Sequence, residues 1–319
     1  MGKKSRVKQR AATTSTASGD AEVAPRQPCP CGSGRRYKHC HGRPGGAPAP
    51  YVARTFEGLP GECDWVALRE FVPTATARLP LRDGVKTDRE VTVATLLPLA
   101  TPAVVRMNGS VWIGLQVYAN HGDVSRDLAH TLELALEAEP GSQIALDDAP
   151  PPGPRLQDLV DPAGAFDVTV HEGFDFWVAD VDDPEGELAA AVQSANDAAA
   201  PSQRLTSVDA AYWTRIGERE FVRWVLPYDE NQVLDGFARL HAAGADRFGE
   251  SGRLLGMFRA HGLQTPVWEL PMGSGPEPFD QGLAEIKPRL DAALAEPAAL
   301  SADERAARNG LANRQLTVR

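Results

Sequence analysis

Pro28-Cys-Pro-Cys-Gly-Ser-Gly-Arg-Arg-Tyr-Lys-His-Cys-His-Gly42 decides how the chain is organised. The spacing is C-x-C-x8-C-H, so Cys29, Cys31, Cys40 and His41 fall within thirteen residues and use three of the chain's four cysteines. Three thiolates and one imidazole complete the tetrahedral N/S set of a closed structural zinc site. Pro30 stiffens the turn that presents the first two sulfurs, and Gly32 and Gly34 let the backbone fold back tightly. With a neutral histidine the loaded site carries a charge of about −1. Arg35, Arg36 and Lys38 offset that charge and favour the thiolates. A Cys29–Cys31 disulfide would close a strained ring, and a bridge to Cys40 would leave an odd thiol. Four protein ligands leave no position for a catalytic water, so the expected zinc is structural.

Charge separates this segment from the rest. Residues 1–43 hold ten Lys/Arg against two Asp/Glu, a net of +8; the total is −10, so the remaining 276 residues carry −18. A basic arm on an acidic body can fold back or reach an acidic partner such as RNA. The acidic body argues against extended nucleic-acid binding beyond residues 1–43. At 319 residues and 42% hydrophobic content, one or two domains with a sizeable core are expected. No apolar run approaches the roughly 18–20 residues of a membrane span. The longest such runs, Val93–Ala100 and Val111–Val117, have strand length. Scarce cysteine and the lack of a signal peptide point to a cytoplasmic location. The Met1-Gly2 start lacks the Ser/Thr at position 6 that myristoylation prefers.

The expected organisation is a disordered basic tail over 1–27, the zinc module over 28–43, and a Pro/Gly-rich linker over 44–60. An α+β body follows over 61–297, then a C-terminal helix and tail over 298–319. Within the body, Asp64–Phe71 reads as a short helix and Val91–Leu97 as a strand. Val104–Met107 and Val111–Tyr118 read as a hairpin about Asn108-Gly109-Ser110. Asp123 is placed to cap a helix bearing Leu128, Leu132, Ala135 and Leu136. Strands are expected at Phe166–His171, Phe174–Val181, Phe221–Leu226, Arg253–Phe258 and Pro266–Leu270. Helices are expected at Glu187–Ala199, after Asp229, across Leu283–Leu294 with a kink at Pro288, and after the Ser301 capping box. Thr95-Leu-Leu-Pro98 and Trp224-Val-Leu-Pro227 each end a strand on proline, which suggests a body built from two similar halves.

Residues 28–43 resemble the SEC-C motif, the zinc-binding tail of the bacterial preprotein translocase motor. The resemblance is carried by Cys29, Cys31, Gly32, Ser33, Gly34, Tyr37, Lys38, Cys40 and His41. It implies metal ligation by Cys29, Cys31, Cys40 and His41. It also implies a protein partner, since in the motor that tail binds the export chaperone and contacts ribosomes. Over its length the chain resembles an uncharacterised family from high-GC bacteria with an N-terminal SEC-C motif. Asp64-Trp-Val-Ala-Leu-Arg-Glu70, Gly122-Asp-Val-Ser-Arg-Asp-Leu-Ala129, Phe174-Asp-Phe-Trp177, Arg223-Trp-Val-Leu-Pro227, Phe258-Arg-Ala-His-Gly262 and Pro266-Val-Trp-Glu-Leu-Pro271 carry that resemblance.

The body offers no catalytic signature. It contains no phosphate-cradling G-x-x-x-x-G-K-[ST] loop, no H-E-x-x-H and no G-x-S-x-G, so no catalytic residue is assigned. His241 falls near the end of a helix, where a cationic ring complements the dipole. His261, in the turn Arg259-Ala-His-Gly262, is the best single candidate for a functional side chain. Asp229-Glu230 suit N-capping, the six tryptophans read as core anchors, and Cys63 reads as a half-buried thiol. The sequence favours an adaptor whose zinc module docks a protein partner, a chaperone or a ribosomal surface. An enzyme targeted by the module, with Arg259 and His261 at its site, is the alternative. RNA binding through the arm and module is a third reading.

Overall fold

A computed structural model describes residues 26–27, 36–39, 52–146, 148–179, 187–249, 252–314 and 316. The chain divides into two units, Met1–Pro48 and Ala49–Arg319. In the first, Tyr37–His39 form one 3-10 turn, and the Tyr37 N–H donates to the Gln27 carbonyl at 2.7 Å. Residues 1–25 of the expected tail and 44–51 of the expected linker lie outside the described residues.

The second unit opens with helix α1 (Glu62–Glu70), entered through Gly61 at φ 67°. A Cβ there would sit 2.9 Å from the Phe166 ring, so both conformation and space require glycine. Trp65, Val66, Ala67 and Leu68 of α1 are buried. The first sheet comprises β1 (Ala75–Arg78), β2 (Val91–Ala94), β3 (Ala103–Val105), β4 (Val111–Gly114), β5 (Gln143–Ile144) and β6 (Val168–Val170). Its order is β5-β3-β4-β2-β1-β6, and only the β2–β4 pair is parallel. The expected hairpin at Asn108-Gly109-Ser110 is present: Gly109 takes φ 87°, and Asn108 Oδ1 accepts from the Ser110 N–H at 2.9 Å. Helix α2 (Val124–Glu137) starts at Asp123, whose Oδ1 accepts from the Ser125 N–H at 3.1 Å. It buries Leu128, Ala129, Leu132 and Ala135. The single turn α3 (Leu156–Leu159) is held to that cap because Arg155 Nε donates to Asp123 Oδ2 at 2.6 Å.

After α4 (Glu187–Ala198) comes the second sheet: β7 (Ser202–Leu205), β8 (Ala211–Ile216), β9 (Arg219–Trp224), β10 (Arg253–Ala260) and β11 (Leu263–Leu270). Its order is β10-β11-β9-β8-β7, antiparallel throughout. Helices α5 (Glu230–Ala242), α6 (Glu277–Ala295) and α7 (Ala302–Asn313) complete the unit. Asp229 caps α5 as expected and does so in a capping box, Ser301 makes its expected capping box, and α6 is one helix through Pro288. Side chains alternate across the second sheet with the period of two that a pleated strand imposes. Trp213, Val222, Trp224, Met257 and Trp268 join Phe237, Leu283 and Ile286 in one core. Tyr212, Phe258 and Val267 face the other way, into a core shared with α1, α2 and the first sheet. Each such large side chain, once enclosed, contributes about 1.5–3 kcal/mol.

The architecture is α+β, as expected, with several local differences. The described part of the expected Phe174–Val181 strand is not a strand: Asp175–Trp177 form a 3-10 turn in which Trp177 stacks on Phe174 and Phe176 on Trp112. Strands β1, β5, β7 and β8 fall outside the expected elements. The two proline phrases do follow strands, but the halves differ in strand number, strand order and the presence of a parallel pair. Among the described residues no helix is long and apolar enough to cross a membrane.

Candidate functional site

The expected zinc ligands Cys29, Cys31, Cys40 and His41 lie outside the described residues. What is described beside them is the Tyr37–Gln27 backbone bond, which closes the chain two residues before Cys29 onto a point three residues before Cys40. Three thiols and one imidazole within thirteen residues have the composition that suits zinc. Among the described residues no group of three or more His, Cys, Asp or Glu is arranged to hold a metal.

The body's most unusual chemistry surrounds Asp64. This residue enters from the first turn of α1 and meets two side chains more than a hundred residues away. Tyr212 Oη on β8 donates to Asp64 Oδ1 at 2.5 Å, and Arg204 Nη2 on β7 donates to Oδ2 at 2.9 Å. Burial pushes the Asp64 carboxyl above its ordinary value, against the opposing pull of the Tyr212 hydrogen bond and the Arg204 charge. Burial, and then the adjacent carboxylate, raise the Tyr212 phenol. Asp64 and Arg204 line a cleft of about 600 Å³ that also takes in Cys63, Asp209, Tyr228 and Lys287, while Tyr212 is fully buried behind Asp64. Cys63 is buried, not half-buried; enclosure and the Glu62 and Asp64 charges push its thiol up to about 12. A thiol so raised is not a nucleophile near neutrality. The cleft can bind and orient a polar guest, and Asp64 is the group in it best placed to hold a proton.

The histidines are structural partners. His241 Nδ1 lies 2.6 Å from Asp246 Oδ2, beyond its expected role at the C-terminal end of α5. His261 takes φ 47° and Gly262 φ 83°, the two positive values of a two-residue I′ hairpin turn. Its Nε2 sits 2.9 Å from Glu70 Oε1, and its ring lies 4.9 Å from that of Phe56. Arg259 points elsewhere, to Glu230 at 3.1 Å. The structure therefore does not bring Arg259 and His261 together. Burial pushes the Glu70 carboxyl up, but the His261 hydrogen bond and charge and the Arg69 charge outweigh it and hold Glu70 below the usual range. A carboxylate lowered in the native state stabilises it above the unfolded value, and that contribution is lost as pH falls through the native value. Glu70→Gln is accordingly expected to flatten the acid side of a stability profile. Urea midpoints between about pH 3 and 7 check this, and an unchanged acid limb would contradict it.

A family model described as the SEC-C motif matches residues 26–43, and a second, described as a family of unknown function (DUF5926), matches residues 55–319. The chain belongs to that second family. The curated relatives it matches include the protein translocase subunit SecA of two strains of Acidithiobacillus ferrooxidans, 66% identical over 29 residues. SecA of Rubrobacter xylanophilus is 52% identical over 31 residues. These matches cover 9–10% of this chain and 3% of each relative, so they concern the motif alone. No solved structure matches the chain.

Proposed function

We propose that this chain is a cytosolic adaptor whose zinc-loaded SEC-C module docks a protein surface while the α+β body carries out a separate recognition task. The single observation behind this reading is a 26–43 SEC-C segment joined through Pro44-Gly-Gly-Ala-Pro-Ala-Pro50 to a body with two cores of its own. In this reading Cys29, Cys31, Cys40 and His41 hold one Zn²⁺, which supplies folding energy to a segment too short to bury a core. A proline-bearing tether keeps the docked module and the body at high effective concentration. The named partners are an export chaperone or a ribosomal surface, by analogy with the translocase subunits that share the motif.

Crosslinked capture with the intact chain and with a Cys29→Ser/Cys31→Ser variant tests it, with nuclease treatment in parallel. The intact chain is expected to bind about one zinc and to retain a chaperone or ribosomal protein after nuclease. The variant is expected to lose both metal and partner while the body's thermal transition stays in place. Identical captures from the two proteins would sink the adaptor reading. A partner lost on nuclease treatment, with steep salt dependence, would transfer the role to RNA.

A further inference from the structure

Arg223 occupies the central strand of the second sheet, β9, opposite Tyr212 on β8 and Val267 on β11. Its side chain leaves the sheet on the face that packs toward α1. The guanidinium lies over the Phe71 ring at 5.3 Å and near the Phe221 ring at 5.8 Å. Among the described residues no hydrogen-bond acceptor or carboxylate engages it. Burial alone pushes it down to about 10, with no counter-charge raising it. Every other charged group close by is committed: Glu70 to His261, Arg69 to the Leu115 carbonyl, and Arg204 to Asp64. Arg223 is half-buried, and inward-facing arginines are normally paired, because a partly desolvated charge without a partner is unfavourable. This one opens into a cleft of about 270 Å³ at the seam between the two halves of the body. Phe71, Pro73 and Ile216 give that cleft an apolar wall, and Ile216 is itself a large side chain left 41% exposed.

We propose that this cleft binds a small organic carboxylate with an apolar body, its carboxyl group received by Arg223 as a two-point hydrogen-bonded pair. The planar fork of a guanidinium matches two carboxylate oxygens, which makes arginine the residue for this task. The Phe71 and Phe221 rings lie close to the fork without competing for its donors. Glu70 lines the same cleft, so a monoanion fits it better than a dianion. Gln116 also lines it, but its amide is spent on the Leu68 and Val72 carbonyls and fixes the wall. This site is independent of the zinc module, and neither proposal depends on the other.

The test is a calorimetric titration of the full chain with 3-phenylpropionate, alongside 3-phenylpropanamide and phenyl phosphate. The carboxylate is expected to bind saturably and the neutral amide at least about tenfold more weakly. Arg223→Gln should lose binding by at least about tenfold, and Arg223→Lys, which keeps charge without the fork, should fall between. Without ligand, Arg223→Met is expected to melt at the same temperature or higher, because it removes an uncompensated charge. A structural arginine would behave in the opposite way, so a destabilised Arg223→Met protein would overturn the assignment. Equal binding of carboxylate and amide, full binding by Arg223→Gln, tighter binding of phenyl phosphate, or no heat up to about 10 mM would each do the same.

Discussion

Trp268→Ala is expected to cost about 4 kcal/mol, a large part of the roughly 5–15 kcal/mol that holds an ordinary domain together. Trp268 sits on β11 with no exposed surface, in the core between the second sheet and the helices. Its ring lies 5.0 Å from Phe248 and 5.9 Å from Phe237. Its Nε1 donates to the Asp246 carbonyl at 2.8 Å, at the loop that also anchors His241. Alanine would leave a cavity that the rigid sheet cannot close, and it would strip a buried carbonyl of its donor. Trp268→Phe keeps most of the volume and should cost about half as much. Because the other face of the same sheet belongs to the first core, the loss should lower one cooperative transition, not split it. Urea titration followed by far-UV circular dichroism measures both points. A change below about 1 kcal/mol would mean that the helices do not rely on this anchor.

That anchor was legible in the sequence, since Pro266-Val-Trp-Glu-Leu-Pro271 reads as a strand with an inward tryptophan. Helix starts were equally legible, because Asp123, Asp229 and Ser301 act on N–H groups two or three residues ahead and carry their signal locally. Strand β8 was not. Both of its faces are enclosed, Tyr212 entering one core and Trp213 the other, so the alternation that marks a half-buried strand is missing. Strand β7, Ser-Gln-Arg-Leu, is a polar sheet edge with only Leu205 buried, and composition gives no hint of it. Phe174–Trp177 failed in the opposite direction. Its aromatic content reads as strand, whereas the rings satisfy one another around a tight turn. The SEC-C motif was legible because its residues are close in sequence. The Asp64 cleft and Arg223 were not, because their chemistry depends on partners brought together, or withheld, by the tertiary fold.

Asp64 gives the second large effect, and its pH dependence opposes that of Glu70 at the other end of the same helix. Asp64→Ala would leave the buried Tyr212 hydroxyl and a donor of Arg204 unpaired. Breaking an enclosed pair costs about 3–5 kcal/mol, but the Arg204 side chain is 30% exposed and water will recover part of that, so about 2 kcal/mol is expected. Asp64→Asn can still accept from Tyr212 and should lose only about half as much. The sign of the pH effect follows from the raised carboxyl. Between the ordinary carboxylate value and the higher native one, the folded protein binds more protons at this site than the unfolded chain. Its contribution is therefore fully present below the unfolded value and falls as pH rises through the native one. Glu70, held low by His261, contributes a slope of the opposite sign. The two partly cancel in the intact protein, so a flat profile there would conceal two active groups. Removing them singly separates them. Asp64→Asn should make stability rise more steeply with pH, and Glu70→Gln less steeply, in urea midpoints taken from about pH 3 to 7. If Asp64→Asn leaves the profile unchanged, then Asp64 is ionised at no cost, and Arg204 and Tyr212 compensate its burial in full.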